Sequence, residues 1–381
     1  MKSLGWILSL MICVPLLTKA QTESKFTLEG KLENLQGKPE KVLLYYPYRE
    51  QNFMDSAEVH DGKYHFDGLL SGPVRADLYL KYKKDTTNMG KDVMSIFIQP
   101  GDITVNSLNT FSNVTVTGSP SNEDFKLIQA AAVPFESKMA PLMDQYNTYA
   151  KAKNKSAQNQ IAKQILALRQ QMNDNMYGNF VRSNPNSIIA LYALQQYAGI
   201  NIKNPDEIQQ LLLTLPANEQ NSTDGQKLSQ LIKLAKLAPV GGIAPDFIQN
   251  DTLGNPVALS SFRGHYTLLS FWASWCGPCR SDNKLFVYNY NKYKAKGFKI
   301  LGVSLDKPGD KEDWLDAIHQ DKLDWTQVSD LQFWNNAAAK KYGVVALPQN
   351  FLIDPSGKIV AKDVRGADLE DLLAKYYPGT N

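Results

Sequence analysis

Cysteine is the scarcest residue of this chain, with three in 381 positions and only four histidines beside them. So few thiols exclude a disulfide-stapled scaffold, which needs several pairs at wide spacing. A surplus of one charge is lacking too. The 41 Lys and Arg against 38 Asp and Glu leave a net +3, so no nucleic-acid or membrane-surface partner is implied. Long apolar runs are confined to the N-terminus. There Lys2 precedes an apolar stretch from Leu4 to Leu17, and Thr18-Lys19-Ala20 places small residues at the last position and two before it. This predicts a secretory signal peptide over residues 1–20. Its apolar core falls short of the ~20 residues that span a bilayer, and no later run approaches that length. The mature chain is therefore expected to be exported, periplasmic in a two-membrane cell, and without a transmembrane segment after cleavage.

Cleavage removes Lys2 and Lys19, lowering the net +3 by two to +1, and removes Cys13. The alternative, a lipidated Cys13, meets an obstacle in Leu10-Met11-Ile12, which lacks a small residue just before the cysteine. Cys276 and Cys279 then stand alone in Trp275-Cys276-Gly277-Pro278-Cys279. A bridge closing so small a loop constrains the unfolded chain little, so the pair reads as chemical rather than structural.

Length predicts two or three domains. Residues 21–118 alternate in the manner of an antiparallel β-domain. Its candidate strands are 26–30, 41–46, 63–68, 75–81, 93–98 and 103–105, with Asp61-Gly62 marking a hairpin. Asp55-Ser56-Ala57 and the ring cluster Tyr45, Tyr46, Tyr48 and Phe53 read as strand packing, with a binding surface as the alternative. Residues 119–237 are helical in pattern. Ser121 and Asp124 open the first helix, Ile161, Ile165, Leu166, Leu168 and Met172 form a stripe, and Asn204-Pro205 starts another helix. Ala238-Pro239-Val240-Gly241-Gly242-Ile243-Ala244-Pro245 reads as a linker. The last region, 238–381, alternates strand 266–273, helix 278–296, strand 298–305, helices 311–320 and 334–342, strands 351–353 and 358–361, and helix 369–376. That order is α/β about a central sheet.

The apolar run Tyr266 to Ala273 feeds the cysteines into a helix, so Cys276 falls at a helix N-terminus. A thiolate, not a thiol, attacks a disulfide. Helix amides and dipole favour that thiolate, and lowering a cysteine from about 8.5 to about 7 takes only about 2 kcal/mol. Cys276 is thus the expected nucleophile, and Cys279, one turn deeper, the resolving thiol. The competing use of a CxxC is half a zinc site. No second CxxC is present, and His60, His65, His265 and His319 lack finger-like spacing. No metal or separate cofactor is expected, the redox-active disulfide serving instead, and His265 reads as a surface residue at a strand entrance.

These residues resemble the thioredoxin superfamily, specifically the exported disulfide reductases of the ResA and TlpA type within the AhpC/TSA redoxins. The resemblance rests on Ala244-Pro245-Asp246-Phe247, Leu259-Ser260-Ser261-Phe262-Arg263-Gly264 and Phe271 to Arg280. It continues through Gly302-Val303-Ser304-Leu305-Asp306 and Ala346 to Asp354. It covers roughly Gly242 to the C-terminus and implies a thioredoxin fold there. It also implies that Pro348 is a cis-proline beside the disulfide, so that the backbone of Leu347 pairs with a bound peptide strand. An ordinary strand-entry proline is the other reading. Trp275, Gly277 and Pro278 join Leu347 and Pro348 as expected substrate-binding residues. Asp282 matches an acidic residue that assists proton transfer. The family usually has glutamate there, and an exposed helix-surface aspartate is the alternative. Ser270 stands where ordinary thioredoxins bury an aspartate. Gly277-Pro278 matches reducing thioredoxins, which favours a disulfide reductase. The front regions resemble those preceding redoxin domains in exported proteins of Bacteroidota, where the β-domain has no assigned function.

The expected activity is thiol-disulfide exchange on protein disulfides, recharged by a membrane electron donor of thiol-transfer type. Two alternatives remain. One is a thiol peroxidase, disfavoured because Ala273 stands where that chemistry normally has threonine. The other is a binding or assembly protein whose redox domain is secondary, since the chain ahead of that domain is the larger part.

Overall fold

A computed structural model describes residues 23–35, 37, 39–82 and 92–379. The signal segment 1–20 and Cys13 lie outside the described residues. By contact the chain divides into two units, Met1–Lys126 and Leu127–Asn381.

Among the described residues of the first unit there are eight strands, most of them built on apolar alternation: β1 (Ser24–Glu33), β2 (Pro39–Tyr48), β3 (Gln51–Glu58), β4 (Lys63–Leu70), β5 (Val74–Tyr82), β6 (Val93–Ile98), β7 (Gly101–Leu108) and β8 (Val114–Thr117). On β4, Tyr64, Phe66 and Leu70 are buried while Lys63, His65 and Asp67 are exposed, the period of two that a half-buried strand requires. Two four-stranded sheets result, ordered β4-β1-β7-β8 and β3-β2-β5-β6. Phe26, Leu28 and Ile103 from one and Val42, Leu78 and Ile96 from the other share one core. At Asp61-Gly62 both φ angles are positive, 51° and 73°, and His60 and Lys63 exchange both backbone hydrogen bonds across the turn.

Two features differ from the sequence reading. The β1–β7 pairing is parallel among otherwise antiparallel neighbours; the long path between them through the second sheet leaves their direction free of any hairpin constraint. Strand β3 was not expected, because seven of its eight residues are exposed and no alternation marks it. Its Phe53 stacks on Tyr46 of β2 at 5.3 Å between centroids, so that ring cluster packs across a strand pair. Helix α1 (Pro120–Lys151) begins in this unit. Asn122 there holds Phe97, accepting its N–H at 2.9 Å and donating to its carbonyl at 2.7 Å. Ser121 does not cap the helix. Its hydroxyl donates to Gln99 at 2.5 Å.

The second unit continues with α2 (Lys155–Asn173), a π turn at Asp174–Gly178, α3 (Asn179–Ser183), α4 (Ala190–Ala198), α5 (Pro205–Thr214), α6 (Ala217–Gln220) and α7 (Thr223–Ala235). Side-chain oxygens of Asn154 and Ser222 cap α2 and α7. Arg182 ties three segments together by donating to Asp174 at 3.0 Å, Tyr197 at 2.9 Å and Glu207 at 2.6 Å.

A short hairpin, β9 (Ile248–Asn250) and β10 (Pro256–Ala258), leads into β11 (Thr267–Trp272), α8 (Gly277–Tyr293), β12 (Lys299–Ser304), α9 (Lys311–Asp321) and β13 (Thr326–Val328). The chain ends with α10 (Ala337–Tyr342), β14 (Gln349–Ile353), β15 (Ile359–Lys362) and α11 (Gly366–Tyr376). The sheet runs β13-β12-β11-β14-β15, with β12 and β13 parallel to β11 and β14 antiparallel to it. Every residue of β11 is buried, as a central strand covered on both faces must be. Leu268 and Trp272 face a core with Phe286, Trp314 and Leu369 of α8, α9 and α11. Leu269 and Phe271 face one with Ala338 and Tyr342 of α10. This is a thioredoxin-type layered α/β arrangement.

The segment 238–245 is not a free linker. Ala238 and Ala244 are buried, and Gly241, Gly242 and Ala244 exchange backbone hydrogen bonds with Gly357 and Ile359 at the sheet edge. Nor does the helical region stand apart. Lys163 of α2 pairs with Asp371 of α11 at 2.6 Å. At Gly343 (φ 65°) the chain passes so close to α7 that a Cβ would lie 2.2 Å from the Leu234 carbonyl oxygen.

Candidate active site

Strand polarity gathers the site. Trp272 ends β11 opposite Ser304, the last residue of β12. Gln349 pairs with Phe271, so Pro348 stands beyond it at the level of Trp272. Functional groups of open α/β sheets collect at such carboxyl ends.

Cys276 is the N-cap of α8. Its backbone is extended (φ −84°, ψ 95°), and its Sγ accepts the Cys279 N–H at 3.2 Å. Pro278 sits in the first turn, where a missing N–H costs nothing. The two cysteines are joined as a disulfide with Cα atoms 5.2 Å apart. Cys276 is 5% exposed and Cys279 1%, so the first cysteine is the less deeply buried of the two.

Two ionic anchors fix the loop ahead of the pair. Asp306, fully buried beyond β12, accepts the Ser274 N–H at 3.2 Å, the Ser274 hydroxyl at 2.5 Å and the Ser304 hydroxyl. Arg280 forks onto Asp321, its Nη2 donating to Oδ1 at 2.9 Å and its Nε to Oδ2, while Nη1 donates to the Ser274 carbonyl at 3.3 Å. Such a planar bidentate pair holds geometry that a lysine cannot reproduce.

The Leu347–Pro348 peptide bond is cis. Pro348 is buried, and Leu347 packs against the core that contains both cysteines. Asp282 lies one turn after Cys279 on α8, with its side chain only 16% exposed, so it is not a helix-surface carboxylate. Among the described residues its Oδ2 has no hydrogen-bond partner, and Arg365 Nε stands 3.5 Å away. Burial pushes the Asp282 carboxyl above the ordinary aspartate range, and the Arg365 charge partly opposes that. Ser270 is buried on β11. His265 is exposed at the opposite end of the sheet from the cysteines.

Trp275 is 45% exposed and does not stand alone. Phe333 and Trp334, in a short turn at Phe333–Asn335, approach it at 5.5 Å and 6.2 Å between ring centroids. Lys307 Nζ lies 5.3 Å from the Phe333 ring. Nothing in the sequence marks this cluster, and Trp334, expected to open a helix, lies in the turn before one. The roles of Asp306, Arg280 and Arg365 likewise emerge only in the fold. The one available signal was an aspartate closing the apolar strand Gly302-Val303-Ser304-Leu305-Asp306.

Among the described residues no helix is long and apolar enough to cross a membrane, and no cluster of three His, Cys, Asp or Glu side chains is arranged to hold a metal.

Known proteins resemble two parts of the chain. The AhpC/TSA family matches residues 240–362, and a domain of unknown function (DUF4369) matches residues 26–125. Thiol-disulfide oxidoreductase ResA of Bacillus thuringiensis is 31% identical over 137 residues, 36% of this chain and 76% of that protein. The Bacillus subtilis protein of the same name is 30% identical over 140 residues, 36% of this chain and 73% of its own length. Among solved structures, the thioredoxin domain of a thiol-disulfide oxidoreductase from Bacteroides vulgatus is 39% identical. It covers 37% of this chain and 98% of that domain, with a TM-score of 0.34. Through its C-terminal third, which holds the Cys276–Cys279 disulfide at the head of α8, the chain belongs to the ResA-type thiol-disulfide oxidoreductases of the AhpC/TSA family.

Proposed function

We propose that the protein is exported to the periplasm and there acts mainly as a reductase of protein disulfides. The observation that carries this reading is the Cys276 sulfur at the N-terminus of α8, accepting a backbone N–H and linked to a more deeply buried Cys279. In the reduced protein, the Cys276 thiolate attacks one sulfur of a substrate disulfide. An S–S bond forms to Cys276, and the other substrate sulfur leaves as a thiolate that takes up a proton. Cys279 then loses its proton and attacks Cys276 Sγ, which closes the protein disulfide and releases the second substrate thiol. Two electrons pass from protein to substrate, and a membrane-held dithiol donor returns them.

In this reading Asp282 is the group that takes the Cys279 proton. A carboxyl raised by burial is suited to proton exchange nearer neutral pH than an ordinary aspartate. The backbone of Leu347, ahead of cis-Pro348, pairs with the incoming strand. Trp275, with Phe333 and Trp334 beside it, supplies the apolar surface for residues flanking the substrate cysteine, while Gly277 and Pro278 leave the approach to Cys276 open.

The test is insulin disulfide reduction with a dithiol reductant. Cys276→Ser is expected to fall to the rate of the uncatalysed control, and Cys279→Ser to accumulate mixed disulfides with periplasmic proteins. Retained turnover in Cys276→Ser would overturn the assignment. Recovery of the protein with the cytoplasmic fraction would overturn the location.

A further inference from the structure

Three elements of the candidate site meet at one side chain. Arg365 lies between β15 and α11, in extended backbone (φ −137°, ψ 151°), and Gly366 (φ 49°) turns the chain into α11 directly after it. Its Nη2 donates to the carbonyl oxygen of cis-Pro348 at 3.1 Å. Its Nε stands 3.5 Å from Oδ2 of Asp282, on the helix that carries both cysteines. That oxygen is buried and, among the described residues, has no hydrogen-bond partner, so the guanidinium is the cation placed to balance it. A second carboxylate, Asp363, lies two residues before Arg365, and its Oδ1 is likewise buried and without a hydrogen-bond partner among the described residues. The charges bearing on this corner are Asp282 of α8, Lys362 and Asp363 at the end of β15, Arg365 itself and Lys203 from the loop between α4 and α5.

We propose that Arg365 is a positioning residue of the exchange reaction, one guanidinium that holds Asp282 in its proton-accepting form and anchors the cis-proline turn that receives the substrate strand. The proposal rests on the reading of Asp282 as the proton acceptor for Cys279. Burial drives Asp282 toward the neutral acid, which cannot take a proton, and the Arg365 charge opposes this. The planar fork of an arginine places its charge beside a carboxylate while another nitrogen donates to a carbonyl. The single ammonium of a lysine supplies the charge without that geometry.

The test uses the full chain and four variants, Arg365→Gln, Arg365→Lys, Asp282→Asn and the Gln/Asn double variant. Each is assayed for reduction of a peptide disulfide from acid to alkaline pH. In Arg365→Gln the acid limb of the rate profile should move to higher pH, because the carboxyl now ionises later. At neutral pH the rate should fall roughly ten- to a hundredfold, the scale of a misplaced catalytic group. Arg365→Lys should return the limb toward its original position yet keep a raised KM for the peptide, since the Pro348 anchor is lost. In the Asp282→Asn background, Arg365→Gln should leave the profile where it was. An equal shift in that background overturns the proposal, as does a lowered melting temperature with an unchanged profile. An Asp282→Asn profile identical to wild type overturns it too, while leaving the cysteine chemistry to stand on Cys276→Ser.

Discussion

At one end of the five-stranded sheet stand Tyr266, His265 and Lys299, and at the other stand Cys276, Asp306, Pro348 and Arg365. The first end is finished with rings. Tyr266 stacks on Tyr376 at 4.3 Å, and Tyr377 packs between Tyr266 and Tyr293 at 5.8 Å from each. The second end is finished with hydrogen-bonded charge, where buried Asp306 and the Arg280–Asp321 pair hold a loop that carries a reactive disulfide. Aromatic packing tolerates small displacements because dispersion and burial are weakly directional, whereas a buried carboxylate demands its donors in place. A substitution at the first end should therefore damage stability alone, and one at the second should damage chemistry as well.

The largest contrast is expected at Asp306. Asn in its place keeps the volume but removes the charge and one of the two oxygens that accept the Ser274 N–H and the Ser274 and Ser304 hydroxyls, in the place of a fully buried carboxylate. The loss should be about 3 kcal/mol of unfolding free energy, the scale of a broken buried charged hydrogen-bond set. Disulfide exchange should slow as well, because Ser274 lies two residues before Cys276. A chemical unfolding curve and an insulin-reduction rate read the two effects. Full activity in a destabilised Asp306→Asn would show that the loop needs no such anchor.

A smaller effect is expected from the rings at the same end. Replacing Phe333 and Trp334 together by Ala removes the surface that Trp275 shares, without touching the cysteines. KM for a cystine peptide with aromatic flanking residues should rise about tenfold, equal to about 1.4 kcal/mol. Turnover of hydroxyethyl disulfide, which has no flanking chain, should stay unchanged. An equal loss on both substrates would mean that the rings support the fold rather than recognise the substrate.

Much of the sheet was legible in the sequence, for physical reasons that also explain the failures. β11 and β12 are buried on both faces and read as continuous apolar runs, and α8 was announced by a cysteine pair after such a run. β9, β10 and β13 hold three residues each, too few for any periodicity to register. Trp334 looked helical by composition. It sits in a tight turn because Phe333 adopts φ 53° and the helix begins only after Asn336, whose side chain caps it. The cysteine pair is a local pattern and could be read directly. Arg365 is not, since its value lies in meeting Asp282 and Pro348, residues that only the fold brings to it. The segment 238–245 looked like a linker because Gly and Pro dominate it, yet its backbone groups pair with the sheet edge, a use that composition does not reveal.

At the ring-finished end the smallest effect is expected, and it is the one that defines the comparison. Tyr376→Ala removes a ring stacked on Tyr266 at an interplanar angle of 12°. It should lower unfolding free energy by about 1 kcal/mol, the scale of an aromatic pair beyond its buried area. The pair lies at the far end of the sheet from the cysteines, and the rest of α11 stays pinned by Leu369 and Leu373 in the core, so the Arg365 end of the helix keeps its place. Exchange with insulin and the pH profile of the reaction should therefore match wild type while the unfolding midpoint drops. A Tyr376→Ala protein whose exchange rate falls with its stability would mean that α11 transmits displacement along its length to Arg365, and that the two ends of the sheet act as one mechanical element.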